Sequence, residues 1–410
     1  MRQAIQEVFI MKRMKSSQSA RLSWSTLYRR IGIIMLMGLL TVASMPAGTV
    51  NATAATGACM SGDQELLSKL KQEGTGHPRE QLVLTDIDFL NTKTGRVAGS
   101  GFLIGTSDAG CHWQAIYTGQ WNFAQIDFPN NVQGWALATV GEQPTMYLLR
   151  TEDGGSHWKR LNTPAPFIRI QLLNKSTGFG YTSSGAYVTK DGGDSWSKVK
   201  VPANTRGATF ASAQDGWATV VRPGKGYAVM KTVNGGTSWS LVLEVPFKDP
   251  VQGDLYVKDK QVYALLYGDS GMSQVSYALY GSKDGGKQWR QVLNQATAGG
   301  GPAPGGQVSK VHEGPANPGG HPGNMELIGS QTAFLAGGSP AGGKVAVGYT
   351  TDAGVHWTNN TPVVEGYGAR ISFTDSKTGY MAVIGSSTPA VYATQDSGKH
   401  WSQLLRLPSL

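Results

Sequence analysis

Short apolar runs, each cut by a glycine-containing turn, recur along most of the chain. Ile87-Asp-Phe-Leu-Asn-Thr-Lys-Thr-Gly-Arg-Val-Ala98 has counterparts at 126–136, 170–180, 209–218 and 371–382, with degenerate versions at 255–264 and 327–336. Each reads as strand, turn, strand. A third strand follows, as in Met146-Tyr-Leu-Leu-Arg150, and a tryptophan opens a fourth.

Between the third and fourth strands lies an eight-residue unit, first as Thr106-Ser-Asp-Ala-Gly-Cys-His-Trp113. Its fixed positions are Asp108, Gly110 and Trp113, then Asp153, Gly155 and Trp158, then Asp191, Gly193 and Trp196. They return as Asn234, Gly236 and Trp239, as Asp284, Gly286 and Trp289, as Asp352, Gly354 and Trp357, and as Asp396, Gly398 and Trp401. Successive tryptophans are 45, 38, 43, 50, 68 and 44 residues apart, so the chain is a repeat protein. The acid accepts backbone N–H groups in a tight turn, a task Asn234 can perform through its amide oxygen. The glycine supplies positive φ, and the tryptophan buries a large ring. Four strands per unit and seven units predict an all-β fold, a seven-bladed β-propeller of four-stranded antiparallel blades over 82–410. Radial closure leaves no long unpaired sheet edge.

Composition agrees with this. The 55 glycines among 410 residues argue against a helical bundle, and 11 tryptophans argue against disorder. The net charge of +9 is concentrated at the start, where residues 1–60 carry +6. There a basic stretch ending in Arg29-Arg30 precedes an apolar run from Ile31 to Ala43, with a cleavage site at Ala52-Thr-Ala54. Residues 1–58 therefore read as a signal peptide or an N-terminal membrane anchor, and the protein as exported. The 59–81 segment contains a short helix over 63–73, stopped by Gly74. Nucleic acid is excluded as a partner, because the basic excess belongs mostly to the export segment. Residues 296–324 hold nine glycines and five prolines and read as a flexible insertion.

Candidate chemistry is sparse. Cys59 and Cys111, the only two cysteines, form one disulfide or remain two thiols. His112, His157, His356 and His400 precede box tryptophans on separate repeats, where they cannot converge on one metal ion. His312, Glu313 and His321 in the insertion read as a solvated loop, and no cofactor is expected. Residues 155–235 carry a net +8, so two repeats form either one basic patch or a scatter over a solvated rim. As a patch, with Arg169, Arg206 and Arg222 as candidates, it suits an acidic protein segment or an anionic membrane surface.

The eight-residue unit is similar to the Asp-box, or BNR, repeat. With the paired Phe-x5-Gly-Trp/Tyr-Ala element, residues 82–410 resemble the seven-bladed photosystem II assembly and stability factors. That resemblance implies a non-enzymatic exported propeller, read here as a monomer, that holds a protein partner such as a membrane-complex subunit. Asp-boxes also occur in sialidases and xyloglucan-degrading glycosidases, which makes a glycan-binding or glycoside-hydrolase propeller the alternative. Phe167-Ile-Arg-Ile170 is the nearest approach to a sialidase Arg-Ile-Pro motif, without its proline.

Overall fold

A computed structural model describes residues 63–71, 82–141, 143–271, 273–306, 311–315, 320–339, 341–385 and 388–407. Residues 1–58, expected to be a signal peptide or membrane anchor, and Cys59 lie outside the described residues. The expected helix is present as Asp63–Lys71, followed by 27 strands from Leu84–Phe89 to Ser402–Arg406.

The strands form six antiparallel sheets, which corrects the expected seven separate blades. Four sheets have four strands each; the one that starts at His321–Ile328 has five, since Thr358–Asn359 and Val364–Glu365 both pair with Lys344–Thr350. The first sheet has six strands and carries two repeats. Its long member, Gln114–Asp127, pairs through Gln114–Thr118 and Asn122 with the first repeat and through Trp121–Asp127 with the second. A physical cause is visible in the sequence. Every later link between repeats contains proline, namely Pro164 and Pro166, Pro202, Pro250, the 296–324 insertion, and Pro362, whereas residues 114–127 contain none. Proline lacks the N–H that a sheet ladder needs, so its absence lets one strand run through.

The leading strands of the seven repeats follow one another around an axis, and five of the seven neighbouring pairs are joined by side-chain-to-backbone hydrogen bonds. Asp86 Oδ2 accepts from Ile126 N at 2.9 Å, Asp88 Oδ2 from Phe128 N at 2.8 Å and Asp127 Oδ2 from Leu172 N at 2.7 Å. Gln171 Nε2 donates to Phe210 O at 3.1 Å, and Asn324 Oδ1 accepts from Ile371 N at 2.9 Å. The circle is completed where Ser372 Oγ accepts from Phe89 N at 3.0 Å. Apolar side chains fill the spaces between sheets as separate clusters, and Trp135 and Trp217 of the strand–turn–strand element lie fully within them.

All seven box turns form with one geometry. In the third, Thr189 Oγ1 donates to Asp191 Oδ1 and accepts from Gly193 N, while Asp191 Oδ1 also accepts from Ser195 N, all at 2.7–2.9 Å. The residue after the acid donates to the turn of its own repeat's first hairpin, as in Gly192 N to Ser176 O at 2.8 Å. Asn234 keeps the pattern through Oδ1, which accepts from Thr232 Oγ1 and Ser238 N at 2.9 Å. The box tryptophans are less uniformly buried than their spacing suggests. Trp113 and Trp357 are core residues, whereas the other five are half-buried. Trp239 instead ties the sheets together by donating to Lys200 O at 2.9 Å.

The insertion is not a free excursion where it is described. Gly300 O accepts from Ser276 Oγ at 2.8 Å, Gly306 O from Asn294 Nδ2 at 2.6 Å, and Gln295 Oε1 accepts from Gly314 N at 2.7 Å. Ala303 is buried, and His312 bridges the edge residue Leu293. The segment therefore caps the outer edge of the fifth repeat, and its last residues already belong to His321–Ile328.

Candidate functional site

The strand registers sort the functional candidates onto two ends of the ring. In the third sheet Phe210 pairs with Gly216 and Gly216 with Thr232, so the hairpin turn and the box lie at one end. Thr205 pairs with Val220 and Arg222 with Gly226 at the other. Arg169 pairs with Tyr181, again at the end away from the box that starts at Thr189. Arg169, Arg206 and Arg222 thus share the end of the ring opposite the Asp-boxes.

Their charges are not equally free. The Arg222 guanidinium sits 2.5 Å from Glu244 Oε1. Arg169 lies over the Tyr181 ring, 3.9 Å from its centroid, and donates to Ala208 O. Arg206 is exposed and donates to the Thr205 carbonyl at 3.0 Å, and among the described residues it forms no ion pair. An open depression is lined by Ser184, Lys198, Lys200, Pro202 and Asn204, the last of them two residues before Arg206. Both lysines are exposed. The sequence counts these lysines in the basic sector, and the link that carries Pro202 gathers them around the depression.

At the box end the acids are consumed by structure. The box histidines His112, His157, His356 and His400 each place Nδ1 2.5–2.6 Å from the second carboxylate oxygen of their own turn. Slight burial would raise the Asp153 carboxyl, but the His157 amide and ring and the Thr151 hydroxyl together lower it to about 2. Among the described residues no group of three or more His, Cys, Asp or Glu side chains is placed to hold a metal ion. Cys111, in the first box, is disulfide-bonded.

A second group of acids was not singled out in the sequence. Asp86, Asp88, Asp127 and Glu326 project from leading strands toward the axis. Their surfaces reach the lumen, yet protein surrounds them on every side, so it is burial that raises each of them first. Repulsion adds to this: Asp88 reaches about 7, Asp127, beside Asp88 and Asp86, about 8, and Glu326 about 8. Arg370 acts on Asp86, Arg169 on Asp127 and Lys258 on Glu326 in the opposite direction. The signal was present in Ile87-Asp-Phe89 and Ile126-Asp-Phe128, where a polar residue stands between two core residues of a leading strand.

Comparison with known proteins agrees with the propeller. Residues 76–209, about a third of the chain, match the family described as Photosynthesis system II assembly factor YCF48. A structure of YCF48 from Cyanidioschyzon merolae is 16% identical with a TM-score of 0.50, over 77% of this chain and 96% of that one. A structure described as YCF48 bound to D1 peptide is 17% identical with a TM-score of 0.48, over 81% and 93%. The GH74 xyloglucanase from Xanthomonas campestris is 13% identical with a TM-score of 0.53, and this chain spans 78% of its own length but 53% of the enzyme's. No curated protein matches the sequence. The chain is thus an all-β propeller of antiparallel sheets, and part of its sequence is similar to the photosystem II assembly factors.

Proposed function

We propose that this protein is an exported, non-enzymatic scaffold that holds an acidic segment of a protein partner at the link between its third and fourth repeats. The observation that carries this reading is the open depression lined by the exposed Lys198 and Lys200, with exposed Arg206 two residues beyond its Asn204. An open, cationic, preformed concavity favours an anionic partner chain through complementary potential and screening-sensitive association. The match of residues 76–209 to an assembly-factor family supports a holding role. Arg169 and Arg222 serve as framework for this site rather than as contacts, since their guanidinium groups are already engaged.

Charge reversal tests it. Arg206→Glu combined with Lys200→Glu should weaken capture of an acidic partner segment at least tenfold at low salt, with the difference shrinking at 0.5 M salt. Capture that ignores both changes removes the site.

A second reading is favoured by the carboxyls on the axis, since raised acids are what glycoside hydrolysis employs. Against it, Asp86, Asp88 and Asp127 each hold a backbone N–H of the next leading strand. Hydrolysis of xyloglucan by the purified protein, abolished by Asp88→Asn, would establish the enzyme and displace the scaffold.

A further inference from the structure

The ring has one junction that no chain crosses. The first sheet is built from residues between Leu84 and Leu161 and the last from residues between Gly368 and Arg406. Among the described residues, no strand of one pairs with a strand of the other. Elsewhere a covalent link keeps neighbouring repeats together, whereas here side chains must do so. Phe89 stacks on Tyr380 with ring centroids 3.4 Å apart, Tyr380 Oη donates to Thr92 O at 2.7 Å, and Ser372 Oγ accepts from Phe89 N.

The helix Asp63–Lys71 sits on this junction. Leu66 and Leu70 are buried in a single apolar cluster with Leu84, Phe89 and Trp113 of the first sheet and Tyr380, Val391 and Leu405 of the last. Leu67 packs against the same cluster, and Ser68 and Lys69 are exposed, so the helix is apolar toward the ring and polar away from it. Cys111 lies two residues before Trp113 and is disulfide-bonded; the only other cysteine in the sequence, Cys59, precedes the helix by four residues.

We propose that this helix is a clasp that closes the propeller, and that the disulfide at Cys111 pins it to the first box. The clasp stabilises the closed ring from the N-terminal side, so the junction opens in preference to the rest of the ring whenever the helix is released. Leu66 and Leu70 contribute by covering both sheets at once, and the disulfide keeps the released helix close enough to rebind.

The test is hydrogen exchange of the purified chain, read strand by strand. In Leu66→Asp/Leu70→Asp, amides of Leu84–Phe89, Gly379–Ile384 and Ser402–Arg406 should exchange at least tenfold faster, while Gly216–Arg222 and Gly226–Thr232 keep their rates. Uniform acceleration, or none at the junction, overturns the proposal. Because that variant can fail to fold, a protease site placed between Gly74 and Thr75 allows the ring to form first. Cutting alone should leave exchange unchanged. Cutting followed by dithiothreitol, which reduces the disulfide to two thiols and is itself oxidised to a cyclic disulfide, should release the helix and accelerate the same three strands. Junction rates that stay at their uncut values after this treatment also overturn it.

Discussion

Gly193→Ala should destabilise the ring by roughly 2–5 kcal/mol, whereas Gly192→Ala, one residue earlier in the same turn, should cost about 1 kcal/mol or less. Both glycines have positive φ, 73° at Gly192 and 97° at Gly193. The first lies in the left-handed region that other residues tolerate, and equivalent positions in other boxes hold Ala109 at 64°, Ala353 at 57° and Ser397 at 65°. A methyl there meets nothing nearer than Lys175 O at 3.2 Å. At Gly193 the angle is less accessible to a side chain, and a methyl would stand 2.7 Å from Leu161 Cδ1 and 3.3 Å from Trp135 Cζ2. Strain and overpacking therefore add. Urea midpoints of the two variants measure the difference. Adding Leu161→Ala to Gly193→Ala should recover part of the packing loss and none of the backbone strain, a coupling that a double-mutant cycle isolates. Equal midpoints for the two single variants would show that the box glycine is kept for another reason.

The same contrast marks what a single sequence can convey. The invariant glycine, the acid two places before it and the strand order were legible because each is enforced within a few residues of chain. Asn234 was correctly read as an acceptor for that reason. The fused first sheet was harder to foresee, because it follows from the lack of a proline between Gln114 and Asp127 rather than from a motif. Burial of the box tryptophans is less complete than the spacing suggests: Trp158, Trp196, Trp239, Trp289 and Trp401 are only half-buried. The basic sector was legible as a count but not as geometry. Glu244 neutralises Arg222 from another strand of the same sheet, and Tyr181 receives Arg169, whereas Lys198 and Lys200 line the depression that leads toward Arg206. The axial carboxyls escaped notice because a repeat supplies at most two of them, and only the circular arrangement of the leading strands brings them together.

Those carboxyls make ring stability depend on pH. Asp127 is raised to about 8 by burial first and by Asp88 next. A folded value above the ordinary one near 4 means that the group's contribution is fully present below pH 4 and is lost as pH rises toward 8. Asp127→Asn removes the charge while the amide oxygen can still accept from Leu172 N, the bond that joins the second leading strand to the third. The variant should therefore match the parent at pH 4, gain over it from pH 4 to 8, and level off above that. The gain at pH 8.5 should be on the order of 2–4 kcal/mol, with lumen water and Arg169 holding it toward the lower figure. Thermal midpoints of parent and variant across pH 4–9 provide the measurement. A pH-independent difference would mean that Asp127 is already ionised in the folded ring and acts through its hydrogen bond alone, whereas Asp127→Ala should destabilise at every pH because Leu172 N then loses its acceptor.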